Sequence, residues 1–279
     1  MKTRSIRIVL LLVACMLIPT STPWGQGRSR GWRDWEGRNV QVGGHPFPGN
    51  AFVFCRIQYD SMDSGWGSRR KWQTDYPESD SNFSLRLSQL TSIEVKRHPN
   101  GEFRHDVVRL DQPELRNYPF IYMIEVGDIA LTEPEREGLR TYLLRGGFLM
   151  VDDFWGEREW RNWTYEFDQV LPPDEYPRFQ IPLDHPIYHL VFDLDEVPQV
   201  PSINRWEATG LSFERSDAQT PYIWGVNDKN GRLMAVVCHN TDLGDGWERE
   251  GENPAYFNEF SVKKAYPMGI NIVVYALTH

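Results

Sequence analysis

Residues 146–156 read GGFLMVDDFWG. Phe148, Leu149, Met150 and Val151 form a short, fully apolar run, the signature of a strand buried on both faces. The segment 133–145 before the glycines is helix-like. Two adjacent acids, Asp152 and Asp153, follow where the strand should end. Ligands of open α/β sheets sit outside the carboxyl ends of the strands, so this acid pair is the first site candidate.

Working outward, residues 120–126 form a second buried strand. Thr132-Glu133-Pro134-Glu135 then opens a helix: a capping residue, a proline and acids in the first turn. Leu139, Tyr142, Leu143 and Leu144 make its apolar face, and Gly146 stops it. Strand, helix, strand is a βαβ unit, which predicts a parallel pair. Residues 157–170 carry Trp160, Trp163, Phe167 and Val170 at helical intervals, with Pro172-Pro173 beyond. Residues 51–58 form the first strand, and the charge of Arg56 inside it requires a partner. A helix is predicted over 81–91, with Ser79 or Asp80 as its cap. Val95 and residues 107–110 read as short strands around the turn at 98–101. Residues 222–226 and 233–238 form a hairpin. Residues 239–248 read as a loop, because Gly244 and Gly246 disfavour helix. A last helix runs over 261–277, interrupted near Pro267.

The chain has 279 residues, 13% of them aromatic, enough for one large α/β domain with appendages. The N-terminus carries Lys2, Arg4 and Arg7, an apolar stretch of 11 residues at 8–18, and a Pro19–Pro23 break. This reads as an export signal over residues 1–27, too short to span a bilayer. The expected location is therefore periplasmic or extracellular. Leu12-Val13-Ala14-Cys15 also resembles a lipobox, which gives the alternative of a membrane-anchored lipoprotein through Cys15. Residues 28–50 read as a linker or strap, and residues 51–279 as the α/β domain. With the three basic groups of residues 1–27 set aside, the net charge of −9 becomes −12. So acidic a body argues against nucleic acid as a partner. Cys55 and Cys238 sit in strand-like runs. They read as buried core thiols, or as a disulfide if their strands are neighbours.

Several blocks together resemble a bacterial family, domain of unknown function 4159. They are Arg56-Ile57-Gln58-Tyr59, then Trp72, Thr74-Asp75-Tyr76-Pro77, Asp80, Asn82-Phe83 and Leu90-Thr91. The later ones are Gly146-Gly147-Phe148, Asp152–Gly156, Asp184-His185-Pro186-Ile187, Met268-Gly269-Ile270-Asn271 and Tyr275-Ala276-Leu277-Thr278. The resemblance covers about residues 51–279. It implies a flavodoxin-like three-layer α/β sandwich with a mostly parallel sheet, similar to class I glutamine amidotransferases. It also implies partnership in a membrane complex with von Willebrand A-type proteins and AAA-type ATPases. It implies no reaction, so function must be argued from the sites.

A glutaminase needs a thiol on a strand-to-helix elbow, with an activated imidazole. The elbow here, Asp152–Gly156, has neither Cys nor Ser, so glutaminase activity is not expected. Asp152 and Asp153 can hold a ligand or metal. The plainer reading is that one caps the following helix and the other pairs with a cation such as Arg56. His239, Asp242, Asp245 and Glu248 follow a strand at three-residue spacing; imidazole with carboxylates suits a transition metal such as zinc or manganese, and carboxylates alone suit calcium. The plainer reading there is a solvated loop with an Asx-turn at Asp242. Arg56, Tyr59 and Asp60 leave the first strand toward the same edge. Trp66, Trp72, Trp155 and Trp247 fall near the acids, where exposed rings would stack on sugars and buried ones would cover the core.

The ligand-binding candidates are therefore Arg56, Tyr59, Asp60, Asp152, Asp153, Trp155, His239, Asp242 and Asp245. The metal-ligand set is Asp152, Asp153, His239 and Asp242. The first expectation is a non-catalytic binding or assembly module of the cell envelope, without a bound metal. The alternative is a metal-dependent hydrolase acting on an envelope glycan or polymer.

Overall fold

The computed structural model describes residues 51–62 and 68–279. The expected export segment with Cys15, the strap at 28–50 and Trp66 lie outside the described residues. Among the described residues, nine strands and seven α-helices follow in order. These are β1 (Phe54–Gln58), β2 (Asp60–Ser61), α1 (Glu78–Leu90), β3 (His105–Arg109), β4 (Phe120–Ile124) and β5 (Ile129–Ala130). Then come α2 (Glu133–Leu144), β6 (Phe148–Asp152), α3 (Gly156–Val170), β7 (Arg178–Gln180), α4 (Ile203–Thr209) and β8 (Tyr222–Asn227). The chain closes with β9 (Leu233–His239), α5 (Leu243–Glu248), α6 (Pro254–Tyr256), a π-helical stretch Phe257–Ala265, and α7 (Tyr266–Thr278).

The main sheet has seven strands in the order β3-β1-β4-β6-β9-β8-β7. The first five are parallel; at one edge β8 pairs antiparallel with β9, and β7 pairs antiparallel with β8. The βαβ reading holds: β4 and β6 pair in parallel from Phe120 opposite Phe148 to Ile124 opposite Asp152. Alternation along each strand sends side chains to two separate cores. Phe54, Tyr122, Met150, Val236 and Cys238 pack with Phe83 of α1, Trp247 of α5 and Ile270 of α7. Cys55, Met123, Val151 and Val237 pack on the opposite face, with Leu139 of α2 and Trp163 and Phe167 of α3. Helix layer, sheet, helix layer is a three-layer α/β architecture. Cys55 and Cys238 are free, buried thiols on opposite faces, so no disulfide joins them.

Three elements differ from expectation. Helix α1 starts earlier than 81, with Pro77 at its N-cap. Ser79 and Asp80 are therefore not caps; both are buried in its first turn, drawn in by Arg56. The C-terminal helix is continuous through Pro267: the π-helical stretch Phe257–Ala265 passes into α7 one residue before the proline, so the change of helix type, not a break, falls there. Residues 243–248 are helix α5, not loop. Its glycines are there for close approach. A Cβ at Gly244 would lie 2.7 Å from Asp75 Oδ2, and one at Gly246 would lie 2.5 Å from Ala265 Cβ. Among the described residues, no helix is long and apolar enough to cross a membrane.

Candidate functional site

The carboxyl ends of β1, β4, β6 and β9 share one edge of the sheet. The strand order reverses between β1 and β4, because β3 lies on one side of β1 and β4 on the other. A crevice at such a reversal is where open α/β sheets take ligands. What collects there is acid.

Arg56 builds the first wall. Its guanidinium is fully buried and is consumed by its own neighbours. Nε donates to both Asp80 oxygens at 3.1 Å, Nη2 to Ser79 Oγ at 2.9 Å, and Nη1 to the carbonyls of Trp72 and Thr74 at 3.1 and 2.9 Å. This clamps the segment after β1 and fixes Asp75 at a left-handed φ of 61°. Asp75 Oδ2 is sealed from solvent and has no hydrogen-bond partner.

The strand ends supply the floor. Glu125 follows β4 at φ 55° and Asp153 follows β6 at φ 52°, both left-handed positions uncommon for side-chain-bearing residues. Tyr59 donates from its hydroxyl to the carbonyls of Ile124 and Glu125, at 2.6 and 2.8 Å, and pins that turn. Asp152 Oδ2 accepts from the Tyr122 hydroxyl and the Gly244 N–H, both at 3.0 Å; its Oδ1 is sealed and unpartnered. Trp155 donates its indole N–H to Asp153 Oδ1 at 2.9 Å.

Helix α5 supplies the second wall. Asp242 is its N-cap and accepts from the Asp245 N–H at 2.7 Å. Asp245 Oδ2 accepts from the Ile203 N–H at 2.7 Å and the Tyr256 hydroxyl at 3.0 Å. Glu248 stands one turn on, on the same face as Asp245. Ligand oxygens of Asp75, Asp245 and Glu248 all lie within 4.8 Å of one another.

The electrostatics follow from this crowding. Burial, then the charges of Asp245 and Glu248, push Asp75 well above the usual carboxylate range. Burial, then Glu125, Asp75 and Asp152, raise Asp153. Burial, then Asp153, Asp75 and Asp245, raise Asp242. Asp152 is raised to about 7, by burial, against the hydrogen bonds from Tyr122 and Gly244. Three cations stand near this edge. Arg56 is bound to Asp80, Lys71 to Glu125 and Asp128, and Arg249 to Glu248 and Glu252 with Asp245 at 3.8 Å; among the described residues, Asp75, Asp152, Asp153 and Asp242 have no ion-pair partner. Such a basin favours a proton or another cation over further ionisation.

Several expectations need correction. Arg56 offers no free donor to a ligand; it is a buried clamp, and its partner is Asp80, not Asp152 or Asp153. Neither of those acids caps α3. The N–H groups of Trp155, Gly156 and Glu157 go to Glu159, Asn240 and Asp217 instead. Asp60 is exposed and pairs with Arg109, outside the basin. His239 leaves β9 on the face opposite Cys238 and lies among Phe154, Trp160 and Tyr222, with Nε2 3.3 Å from the Gly156 carbonyl. Burial lowers it to about 4. The set Asp152, Asp153, His239 and Asp242 therefore does not converge as metal ligands; the group of three that does, among the described residues, is Asp75, Asp245 and Glu248. Trp72, Trp155 and Trp247 are buried, so they are not sugar platforms.

Tyr59, Asp152, Asp153, Trp155, Asp242 and Asp245 do belong to this edge. Asp75 and Glu125 are the residues that sequence reasoning missed; Glu248 stood in the three-residue spacing after β9 but outside the expected metal set. Glu125 ends an apolar run as Asp152 does, and that signal was readable. Asp75 was not, because only the Arg56 clamp brings it in.

The chain matches no curated protein sequence. Residues 53–277 match the family described as Domain of unknown function (DUF4159), and the chain belongs to that family.

Proposed function

We propose that this protein is a non-catalytic binding or assembly module of the bacterial cell envelope, exported through its N-terminal segment. Its fold is read as flavodoxin-like, of the class I glutamine amidotransferase kind, with the glutaminase chemistry absent. The carrying observation is the turn after β6. Where an amidotransferase needs a thiol, Asp153 stands at φ 52°, tied to the Trp155 indole, and the nearest strand-end imidazole, His239, is stacked among aromatic rings. The acidic edge is then a receptor for a positively charged group. By family resemblance the partners are von Willebrand A-type and AAA-type ATPase proteins of the membrane complex.

The test is twofold. The purified protein is assayed for ammonia release from glutamine and for hydrolysis of envelope glycans. It is also co-purified with those two partner types from its source membrane. The reading expects no turnover, and retention of the partners that Asp153→Asn or Glu248→Ala weakens. Turnover that Asp153→Asn abolishes would overturn it. The second reading, a metal-dependent hydrolase of an envelope glycan, is favoured by the convergence of Asp75, Asp245 and Glu248. A bound cation alone does not decide between the two; turnover does.

A further inference from the structure

Asp75 arrives from the segment after β1, while Asp245 and Glu248 arrive from α5, the helix after β9. Their oxygens close to within 4.8 Å of one another across that gap. Three carboxylates so placed repel; Arg249 answers Glu248 at 2.6 Å and Asp245 at 3.8 Å, but among the described residues no cation pairs with Asp75. Two further observations point to a ligand. Asp75 Oδ2 is sealed from water and takes no hydrogen bond, although a fully accepting carboxylate oxygen is the rule in a protein interior. The opposing wall is cut back at Gly244, where a Cβ would crowd that same oxygen at 2.7 Å and the Tyr122 hydroxyl at 2.9 Å. Behind it, Asp152 Oδ1 is a second sealed and unpartnered oxygen in a fully buried side chain.

We propose that Asp75, Asp245 and Glu248 bind one hard divalent cation of the calcium, magnesium or manganese class, and that this cation ties the segment after β1 to α5. The donor set is oxygen only, which selects these ions over zinc or copper. The three oxygens are within reach of one shared ion: oxygens on opposite sides of a calcium ion stand about 4.6–5.2 Å apart, twice the usual bond length, and these lie within 4.8 Å of one another. Asp245 is already oriented by the Ile203 N–H and the Tyr256 hydroxyl, the outer support that a ligating carboxylate requires. The inference rests on the binding reading of this edge, with the cation held for structure and for presenting the edge to a partner.

The experiment strips the purified full chain with EDTA and titrates it with CaCl2, MgCl2 and MnCl2, by calorimetry and by thermal melting. The expected result is one equivalent bound for at least one ion, with Tm raised by about 5 °C or more at saturation. Glu248→Gln and Asp75→Asn each weaken binding at least tenfold, whereas the exposed-acid control Glu175→Gln binds as the wild type does. Glu248 lies at the half-buried rim, so its variant tests the site where Asp75→Asn fails to fold. No saturable binding of any of the three ions overturns the cation site and leaves the envelope-module reading standing. Equal binding by Glu248→Gln also overturns it. Cation binding accompanied by glycan turnover sustains the site and overturns the module reading instead.

Discussion

Asp152 ends β6 with one oxygen accepting from Tyr122 and Gly244 and the other unpartnered. Burial raises it to about 7, so between its unfolded value and 7 the folded protein binds the extra proton. Stability from this group is therefore greatest in acid and falls as the pH rises through 7. In EDTA, Asp152→Asn should melt higher than wild type at pH 8 and nearly equally at pH 4, by thermal denaturation. A larger gain at pH 4 would contradict the assignment. His239 has the opposite sign: burial lowers it to about 4, so its neutral ring favours folding above its unfolded value, and that contribution is lost as the pH falls toward 4. Its NMR titration should therefore show a neutral ring at pH 6. Arg56 and Asp80 form a pair with no exposed surface on either side chain. Asp80→Ala leaves a buried guanidinium uncompensated and should cost about 3–5 kcal/mol in urea denaturation. A change under about 1 kcal/mol would show that Ser79 and the Trp72 and Thr74 carbonyls suffice.

At the scale of elements, α5 matters most, and its two glycines make separable predictions. Gly244→Ala intrudes on Asp75 and Tyr122, so it should both destabilise the fold by about 1–3 kcal/mol and weaken cation binding. Gly246→Ala meets Ala265 and should destabilise without changing cation affinity, as calorimetry would read. These glycines also explain what the sequence could and could not disclose. β4, α2, β6 and α3 were legible because their apolar period, caps and glycine stops agree with one another. α5 was not, since tertiary contact overrides the low helix propensity of Gly244 and Gly246. The acid pair at 152–153 was legible as a site because a buried strand ended there. Asp75 was hidden in a polar, turn-like stretch, and its role depends on a clamp made by a strand residue far back in the chain. His239 was misread because position in the sequence does not say which face a strand's last residue takes.

For the whole molecule, the sheet's two faces carry ordinary apolar cores, and the carboxyl edge carries the conflict. Committed cations and crowded carboxylates there are the local violation that a binding site leaves in an otherwise consistent fold. Removing a structural cation should loosen that edge first. Limited proteolysis in EDTA should nick the segment 68–77 or the region 240–250 before the strands, and added cation should protect both. The most direct measurement is an anomalous difference map from a crystal of the full chain soaked in MnCl2. The account predicts one strong peak among Asp75, Asp245 and Glu248, within bonding distance of all three. No peak at that edge, or one centred on Asp152, Asp153 and His239, would contradict it.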